Sequence, residues 1–136
     1  MNDQNNGFKL RNCGGVPVIE LIGELNEATL KRLETVMRTL ASAGHYHLVV
    51  NLQRAATANL KVLGSLKKTL SHIRRHYGAV DLVAEAGQVR ELLKMEKLAG
   101  LFRINSSEAQ AIRKIKKLLR LPDDSTAGAS ARITEK

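Results

Sequence analysis

The stretch HLVVNLQRAATANLKVLGSL, residues 47–66, contains the strongest indication of the fold class. Its first six residues form a continuous apolar run rather than an alternating one, which is typical of a strand covered by helices. Asn59 is a good helix N-cap, and apolar side chains recur at helical spacing after it. The sequence therefore predicts a central strand, a loop and a helix that ends at Gly78. The inward stripe of this helix is Leu60, Leu63, Leu66, Leu70, Ile73 and Tyr77.

The segment before this stretch predicts a hairpin and a helix. FKLRNC (8–13) and VPVIELIG (16–23) are predicted as two strands, joined by two glycines that supply the positive φ angles of a tight turn. Asn26 is a candidate N-cap for the first helix, which is predicted to end at Gly44. The apolar positions of this helix are Leu30, Leu33, Met37 and Leu40.

Strand and helix patterns alternate again after the opening stretch. AVDLVAE (79–85) is predicted as a strand, QVRELLKMEKLAG (88–100) as a short helix and LFRIN (101–105) as a last short strand. The short helix is predicted to turn Val89, Leu92 and Leu93 inward.

A capping box formed by Ser107 and Gln110 predicts the start of a final helix, and Pro122 follows the end of that helix. The apolar side of the final helix is predicted to consist of Ile112, Ile115, Leu118 and Leu119.

This order of elements predicts an α/β fold. We expect a four- to five-stranded mixed sheet, mostly parallel after the N-terminal hairpin, with about four helices. Residues 8–121 are predicted to form one domain. Residues 1–7 are predicted to be flexible, and the polar tail 122–136 lacks periodicity and is predicted to be disordered.

Composition narrows the classes of function. With Cys13 as the only cysteine, no internal disulfide can form, and we find no leader pattern and no apolar run long enough to span a membrane. We therefore expect a cytoplasmic protein. The net charge of +9 is uneven, because residues 60–136 hold 16 Lys and Arg against 8 Asp and Glu. A basic half favours an acidic protein, anionic lipid or nucleic acid as partner.

Motifs that carry catalysis are missing from the sequence. Neither a glycine-rich phosphate loop nor an HExxH pattern occurs. Two histidine pairs, 45/47 and 72/76, have spacings that could share a metal ion, but each lacks a third ligand close in sequence. Cys13 is interpreted as a half-buried small apolar residue. We therefore predict a protein that is not an enzyme and that uses no metal or cofactor.

The final helix carries a predicted basic surface along its length. A basic amphipathic helix can bind phosphate groups or anionic lipid, but cations near a helix C-terminus also suit the helix dipole. Because aromatic residues are scarce, nucleic acid is not the expected partner. The basic surface consists of Arg113, Lys114, Lys116, Lys117 and Arg120.

Taken in order, these segments resemble the STAS family, the domain shared by anti-sigma factor antagonists and the cytoplasmic tails of sulfate transporters. VIELIGELNEATLKRL resembles the strand, turn and first helix of the family. LVVNLQRAATANLKVLGSL is similar to its central strand and loop, and EAGQVRELLKMEKLAGLFRINSSEAQAI is similar to its closing stretch. The resemblance covers about residues 8–119 and implies a STAS-like (SpoIIAA-like) fold.

The resemblance also assigns roles around the loop after the central strand. Asn59 stands where the family usually has Asp, Leu60 where it has the serine that a partner kinase phosphorylates, and Lys61 at a second serine. It implies a degenerate phosphosite at Leu60. Thr57 and Ser65 carry hydroxyls nearby and are the alternative phosphosites. The residues implied to bind a partner are Arg54, Thr57, Asn59, Leu60, Lys61, Gly64 and Ser65.

The leading hypothesis is a non-enzymatic partner-switching module that binds an anti-sigma factor or a serine-kinase-like ATPase and is not controlled by phosphorylation at the usual serine position. Leu60 fits a second interpretation equally well, because its spacing to Leu63 also makes it the first residue of the core stripe. One alternative is a STAS subunit of a membrane-associated lipid-transport or stressosome-like assembly. Another is a basic nucleic-acid-binding protein. A homodimer is left open as well.

Overall fold

The computed structural model describes residues 7–24, 26–55, 67–94 and 102–122 of the chain. The five strands within these ranges form one sheet in the order β1-β2-β3-β4-β5. β1 is antiparallel to β2, and all other neighbours are parallel. The predicted α/β class with a mixed sheet is confirmed, and the described ranges contain four helices where about four were expected. The elements are β1 Gly7–Cys13, β2 Val16–Gly23, α1 Glu27–Ser42, β3 His47–Ala55, α2 Lys67–Arg75, β4 Ala79–Val83, α3 Ala86–Lys94, β5 Arg103–Asn105 and α4 Glu108–Leu119.

The N-terminal hairpin turns at the two predicted glycines. Gly14 and Gly15 have φ angles of 64° and 99°, which side chains other than glycine rarely adopt. The Asn12 side chain closes the turn, since its Oδ1 accepts a hydrogen bond from the Gly15 N–H at 2.7 Å. Pro17 is the second residue of β2, near the beginning of the strand, where a residue without a backbone N–H is tolerated.

Helix α1 begins and ends where the sequence predicts. The Asn26 side chain accepts a hydrogen bond from the Thr29 N–H at 2.8 Å and so satisfies one of the free donors of the first turn. At the other end Gly44 has a φ of 93°, and the His45 N–H donates to the Leu40 carbonyl at 2.9 Å. This is the backbone arrangement in which a glycine terminates a helix.

The sheet separates two apolar cores of unequal size. On one side, the α1/α2 face, helices α1 and α2 cover the sheet with large side chains. On the other side, the α4 face, helix α4 packs Ala111 and Ile115 against valines of the strands. β3 lies in the middle of the sheet, and the predicted central strand is confirmed. The buried helical residues of the larger core are Leu33, Met37, Ala41, Leu70 and Ile73.

The predicted stripe of α2 is correct at Leu70 and Ile73 and wrong at Tyr77. The side chains of Leu70 and Ile73 are buried, whereas Tyr77 is 92% exposed. α2 ends at Arg75, and Tyr77 has a φ of 62° in the turn beyond it. Because the chain leaves the helix before position 77, helical spacing no longer determines where that side chain points.

The predicted apolar side of α4 is also partly wrong. Ile115 is buried, but Leu118 and Leu119 are 56% and 43% exposed. The buried line instead includes Ala111, four residues before Ile115, and Lys116, which is 4% exposed. Lys116 therefore does not belong to the predicted basic surface. The sequence pattern counted only large apolar side chains, whereas the sheet beneath α4 accepts an alanine.

Several predictions fall outside the described residues. These are the N-cap at Asn59, the stripe positions Leu60, Leu63 and Leu66, the side chains of Leu92 and Leu93, and the residues assigned to the two terminal segments except Gly7 and Pro122.

Candidate partner-binding site

The predicted site begins at the carboxyl end of β3. Arg54 and Ala55 are the last residues of this strand. β2 ends beside them, since Ile22 pairs with Arg54 and Gly23 pairs with Ala55. Of the residues implied to bind a partner, the structure describes Arg54 alone, and Thr57, Asn59, Leu60, Lys61, Gly64 and Ser65 lie outside the described residues.

A buried glutamine holds the end of β3. Gln88 of α3 is 7% exposed, and its Nε2 donates to the carbonyl oxygens of Leu52 at 2.5 Å and Ala55 at 3.4 Å. Its Oε1 accepts from the Glu85 N–H at 3.0 Å. Because one amide satisfies backbone groups of two segments, the start of the loop after β3 is fixed to the loop before α3.

A second polar side chain fixes β3 from the α4 face. Asn51 is 4% exposed, its Oδ1 accepts from the Gln53 N–H at 2.8 Å, and its Nδ2 donates to Glu108 Oε2 at 2.5 Å. Glu108 lies in the first turn of α4, where a carboxylate suits the helix dipole. The strand that leads into the predicted site is thereby tied to α4.

Glu108 also receives a bidentate pair of hydrogen bonds from β1. Arg11 Nη1 and Nη2 donate to its two carboxylate oxygens at 3.1 and 2.6 Å. Burial opposes the charged form, but the hydrogen bonds from Arg11 and Asn51 outweigh it, and the pKa of Glu108 lies below its ordinary value. The carboxylate is therefore held ionised as the junction of β1, β3 and α4.

Arg54 remains on the surface next to this junction. Its side chain is 57% exposed, and its Nη1 lies 3.8 Å from Glu20 Oε2. An exposed ion pair of this length contributes little to stability, so the guanidinium is available to a partner at small cost. Arg54 is the described residue that best fits the predicted contact surface.

The basic surface predicted on α4 is divided by the structure. Arg113, Lys117 and Arg120 are exposed, and Lys116 is buried, as described above. Lys114 is directed to the α4 face, because its Nζ donates to Asn105 Oδ1 at 2.9 Å and lies 4.0 Å from Asp81 Oδ2. A continuous row of five free cations is not present on this helix.

Sequence reasoning missed Gln88, Glu108 and Asp81. Asp81 is fully buried in β4 and accepts hydrogen bonds from Arg103 and Asn105. The available signal was a polar residue inside an apolar strand, at position 81 of AVDLV, and such a residue requires a buried partner. Gln88 and Glu108 gave no comparable signal, because polar residues are common in the first turn of a helix.

Known proteins share both the sequence pattern and the fold of this chain. A family model described as the STAS domain matches residues 8–111. The chain belongs to the STAS domain family. A search of curated proteins finds no significant match.

Solved structures share the fold of this STAS domain. The phosphorylated form of the Bacillus cell fate determinant SpoIIAA is 17% identical, with a TM-score of 0.59, and the match covers 80% of this chain and 99% of that one. An anti-sigma factor antagonist from Mycobacterium paratuberculosis is 19% identical, with a TM-score of 0.60 and coverage of 80% and 92%. The Thermotoga maritima protein TM1081 is 18% identical, with a TM-score of 0.65 and coverage of 80% and 94%.

None of the helices in the described part of this STAS domain combines the length and the apolar character that a membrane span needs.

Proposed function

We propose that this STAS domain is a non-enzymatic module that binds an anti-sigma factor or a kinase-like ATPase through residues 54–65. The single observation that carries the proposal is the STAS match over residues 8–111, which includes the whole of this segment. Solved structures with the same fold include anti-sigma factor antagonists, which supports the same class of partner here.

The polar contacts at the end of β3 support a role in binding. The Gln88 side chain donates a hydrogen bond to the backbone of β3, and the Asn51 side chain donates one to Glu108. Arg54 lies exposed near these contacts. Because these contacts fix the end of β3 before a partner binds, less conformational entropy is lost on binding. The proposed contact surface therefore extends from Arg54 into the loop.

Regulation by phosphate is proposed to be absent at the usual position. Leu60 has no hydroxyl, and Lys61 adds a positive charge at the predicted start of a helix, where the dipole is also positive. An acidic surface on the partner offsets that charge. We therefore propose that the complex forms through charged and apolar contacts and that phosphorylation of residue 60 does not dissociate it.

Charge reversal in the loop tests this proposal. The full-length chain with Leu60→Asp and Lys61→Glu is expected to lose the anti-sigma factor or kinase-like ATPase that the unchanged chain co-purifies from its host, as identified by mass spectrometry. With that partner purified, titration calorimetry is expected to show affinity weakened by about tenfold or more.

Lys31→Glu is the control for the substitution at Lys61, because it makes the same Lys-to-Glu charge change at an exposed position of α1 and is expected to retain the partner. If the loop variant retains every partner of the unchanged chain, the proposed surface is wrong. If the recovered partners include neither class of protein, the proposed function is wrong.

Phosphorylation is tested separately. After incubation of the full chain with the purified kinase-like partner and ATP, intact-mass spectrometry is expected to show no added phosphate. Added phosphate that disappears in Thr57→Ala or in Ser65→Ala would contradict the proposed loss of phosphate control and would identify the alternative acceptor.

A further inference from the structure

Helices α1, α2 and α4 all end on one side of the molecule, at the edge of the sheet where the parallel strands begin. A small cleft shows that these ends meet. Its lining contains Gly44, His76 and Leu119, each at or just after the end of one helix, together with Gly15 of the hairpin turn. We call this surface the α2/α4 end. It consists of residues 12–16, 40–47, 72–79 and 115–122.

Large apolar side chains are exposed at the α2/α4 end. Leu118 and Leu119 are 56% and 43% exposed, and Tyr77 is 92% exposed. Among the described residues, Leu10 on β1 is the one other large apolar side chain that is exposed to this degree. Single exposed apolar side chains are normal, whereas their concentration in one region marks an interaction surface.

Leu118 and Leu119 continue the buried side of α4 beyond the sheet. They follow the fully buried Ile115 by three and four residues, so they share its side of the helix. Leu119 lines the cleft with His45 and Tyr46, which precede β3, so the last turn of α4 lies past the first residue of that strand. The helix therefore presents two leucines that the sheet does not fully cover.

Exposed cations lie at the same end of the molecule. Arg74 and Arg75 are in the last turn of α2, Lys117 is in the last turn of α4, and Arg120 is the C-cap of α4. None of these four side chains forms an ion pair within the described ranges. The four segments of the α2/α4 end contain neither Asp nor Glu. The surface is therefore positive, and the residues that form it do not neutralise it.

Stabilisation of the helices explains only part of this arrangement. Cations in a last helical turn interact favourably with the backbone carbonyls there. That effect accounts for the cations but not for the leucines beside them, because an uncovered leucine does not stabilise a helix end. Cations next to exposed apolar side chains are typical of surfaces that lie on anionic membranes, where the cations approach the head groups and the apolar side chains enter the acyl boundary.

Other anionic partners fit this surface less well. The phosphates of a nucleic acid attract cations, but they offer nothing to exposed leucines, and single strands are bound through rows of stacked aromatic rings. An acidic peptide requires a groove or a free strand edge. The cleft has a volume of about 210 Å³, below the range of about 300–1,000 Å³ that is typical of ligand pockets. A flat anionic surface requires neither a groove nor a row of aromatic rings.

We propose that the α2/α4 end binds the surface of an anionic membrane. Leu118 and Leu119 enter the boundary between head groups and acyl chains, and the four cations lie next to the lipid phosphates and carboxylates. β3 has nine residues, so Arg54 lies about 20–25 Å from this end. The proposed partner surface then faces away from the bilayer, and membrane binding does not depend on the proposed function.

Co-sedimentation with vesicles tests the proposal. The full chain is mixed with vesicles of phosphatidylcholine alone, and with vesicles of about two parts phosphatidylcholine to one part phosphatidylserine, in about 0.1 M salt. We expect binding to be at least about tenfold stronger when phosphatidylserine is present. The full chain includes Asp123 and Asp124, which follow Pro122 outside the described residues, so any repulsion from them is part of the measurement. Absence of binding to both vesicles would overturn the proposal.

Charge variants locate the surface. Arg75→Gln combined with Lys117→Gln is expected to weaken vesicle binding about tenfold or more, because each cation near an anionic membrane contributes about fivefold. Lys31→Gln combined with Arg32→Gln is the matched control, since it removes the same two charges from exposed positions of α1. We expect this control to weaken binding less than about threefold. Equal losses would show general attraction of a basic chain to anions and would exclude the α2/α4 end as the site.

Leucine variants separate a bilayer from other polyanions. Leu118→Gln keeps the charge and is expected to weaken vesicle binding about fivefold. Leu10→Gln is the matched control, because Leu10 is 48% exposed on β1, and a change below about twofold is expected. Vesicle binding that is unaffected by Leu118→Gln, or binding of duplex DNA or polyglutamate that is tighter than binding of vesicles, would identify a different polyanion as the partner and overturn the proposal.

Fluorescence gives a readout that does not rely on loss of binding. The chain has no tryptophan, so Leu118→Trp places a single indole at the α2/α4 end, and Leu10→Trp places one on β1. With vesicles that contain phosphatidylserine, emission from the first variant is expected to shift to shorter wavelength and to be quenched by brominated acyl chains, because indole rings settle in the membrane interface. Emission from the second variant is expected to stay unchanged. No shift in the first variant, or equal shifts in both, would contradict insertion at this end.

Discussion

The two faces of the sheet are held together by different chemistry. The α1/α2 face contains large aliphatic side chains from two helices, among them Leu33, Met37 and Ile73, all fully buried. The α4 face has a smaller core of valines with Ala111 and Ile115, and polar side chains lie on either side of it. One face therefore depends mainly on apolar burial, and the other depends also on paired charges and amides.

The two faces therefore contribute differently: the first mainly stabilises the fold, and the second fixes the relative positions of its elements. Apolar burial is not directional, so the α1/α2 face supplies free energy without selecting one arrangement in detail. The contacts of Glu108 with Arg11 and Asn51 are directional and join β1, β3 and α4. We expect the largest losses of unfolding free energy from substitutions on the first face. Substitutions on the second face are expected to give smaller losses, and the loss at Glu108 is expected to depend on pH.

The largest effect is expected from Leu33→Ala on the α1/α2 face. Leu33 is fully buried, and removing a buried leucine side chain costs about 2–5 kcal/mol of unfolding free energy. Urea denaturation measures the change. Leu118→Ala on α4 is the matched control, because its side chain is 56% exposed and a change below about 0.5 kcal/mol is expected. Similar losses in the two variants would remove the distinction between the faces.

A smaller effect is expected from Asp81→Asn on the α4 face. The carboxylate is fully buried and accepts hydrogen bonds from Arg103 Nε at 2.9 Å and Asn105 Nδ2 at 3.1 Å. The amide keeps the shape but loses the charge and brings a donor toward other donors, so a loss of about 1–3 kcal/mol is expected in urea denaturation. A neutral result would show that the ion pair does not stabilise this face.

Glu108→Gln is expected to cost about 1 kcal/mol at neutral pH, because it weakens the charge-assisted hydrogen bonds. The folded-state pKa of Glu108 lies below its ordinary value, since hydrogen bonds from Arg11 and Asn51 outweigh burial. The stabilisation is therefore complete above the ordinary pKa of a glutamate and is lost as the pH falls through the folded-state pKa. Urea denaturation across pH 3–7 should show the difference between the two proteins shrinking in acid; a constant difference would contradict this origin.

The smallest effect is expected from His47→Gln in chloride buffer. Burial and the charge of Arg103 lower the folded-state pKa of His47 below its ordinary value. The unfolded chain then binds more protons as the pH falls below that ordinary value, so the unfolding free energy of the unchanged protein decreases there. The variant should show a flatter dependence of unfolding free energy between pH 7 and pH 5, and an unchanged slope would count against a perturbed His47.

The sequence predicted the α1/α2 face better than the α4 face for a physical reason. The stripe of Leu33 and Met37 and the apolar run of β3 are local patterns set by the periods of helix and strand. The contacts of the α4 face join residues far apart in sequence, such as Asn51 with Glu108, 57 residues away, and Arg11 with Glu108, 97 residues away. No local pattern identifies such partners.

Predictability of the candidate site differs in the same way. The apolar run predicted a central strand that ends at Leu52, whereas β3 continues to Ala55 and includes Arg54. The assignment of Arg54 to the contact surface follows from the resemblance to the STAS family. The hydrogen bonds from Gln88 could not be predicted from the sequence, because its partners Leu52 and Ala55 are distant in the chain and are brought close only by folding. Residues 56–66 lie outside the described ranges, so the roles of Leu60 and Lys61 stay predictions.

The strand order has a consequence for how the chain assembles during synthesis. Each strand pairs with the one that precedes it in sequence, so the sheet can grow one strand at a time as the polypeptide leaves the ribosome. α4 follows all five strands, and its carboxylate at position 108 closes onto Arg11 from the first. A nascent chain that lacks this helix exposes the valines of the smaller core. Exposed apolar surface promotes aggregation, so we expect the risk of aggregation to fall once α4 has packed on the sheet.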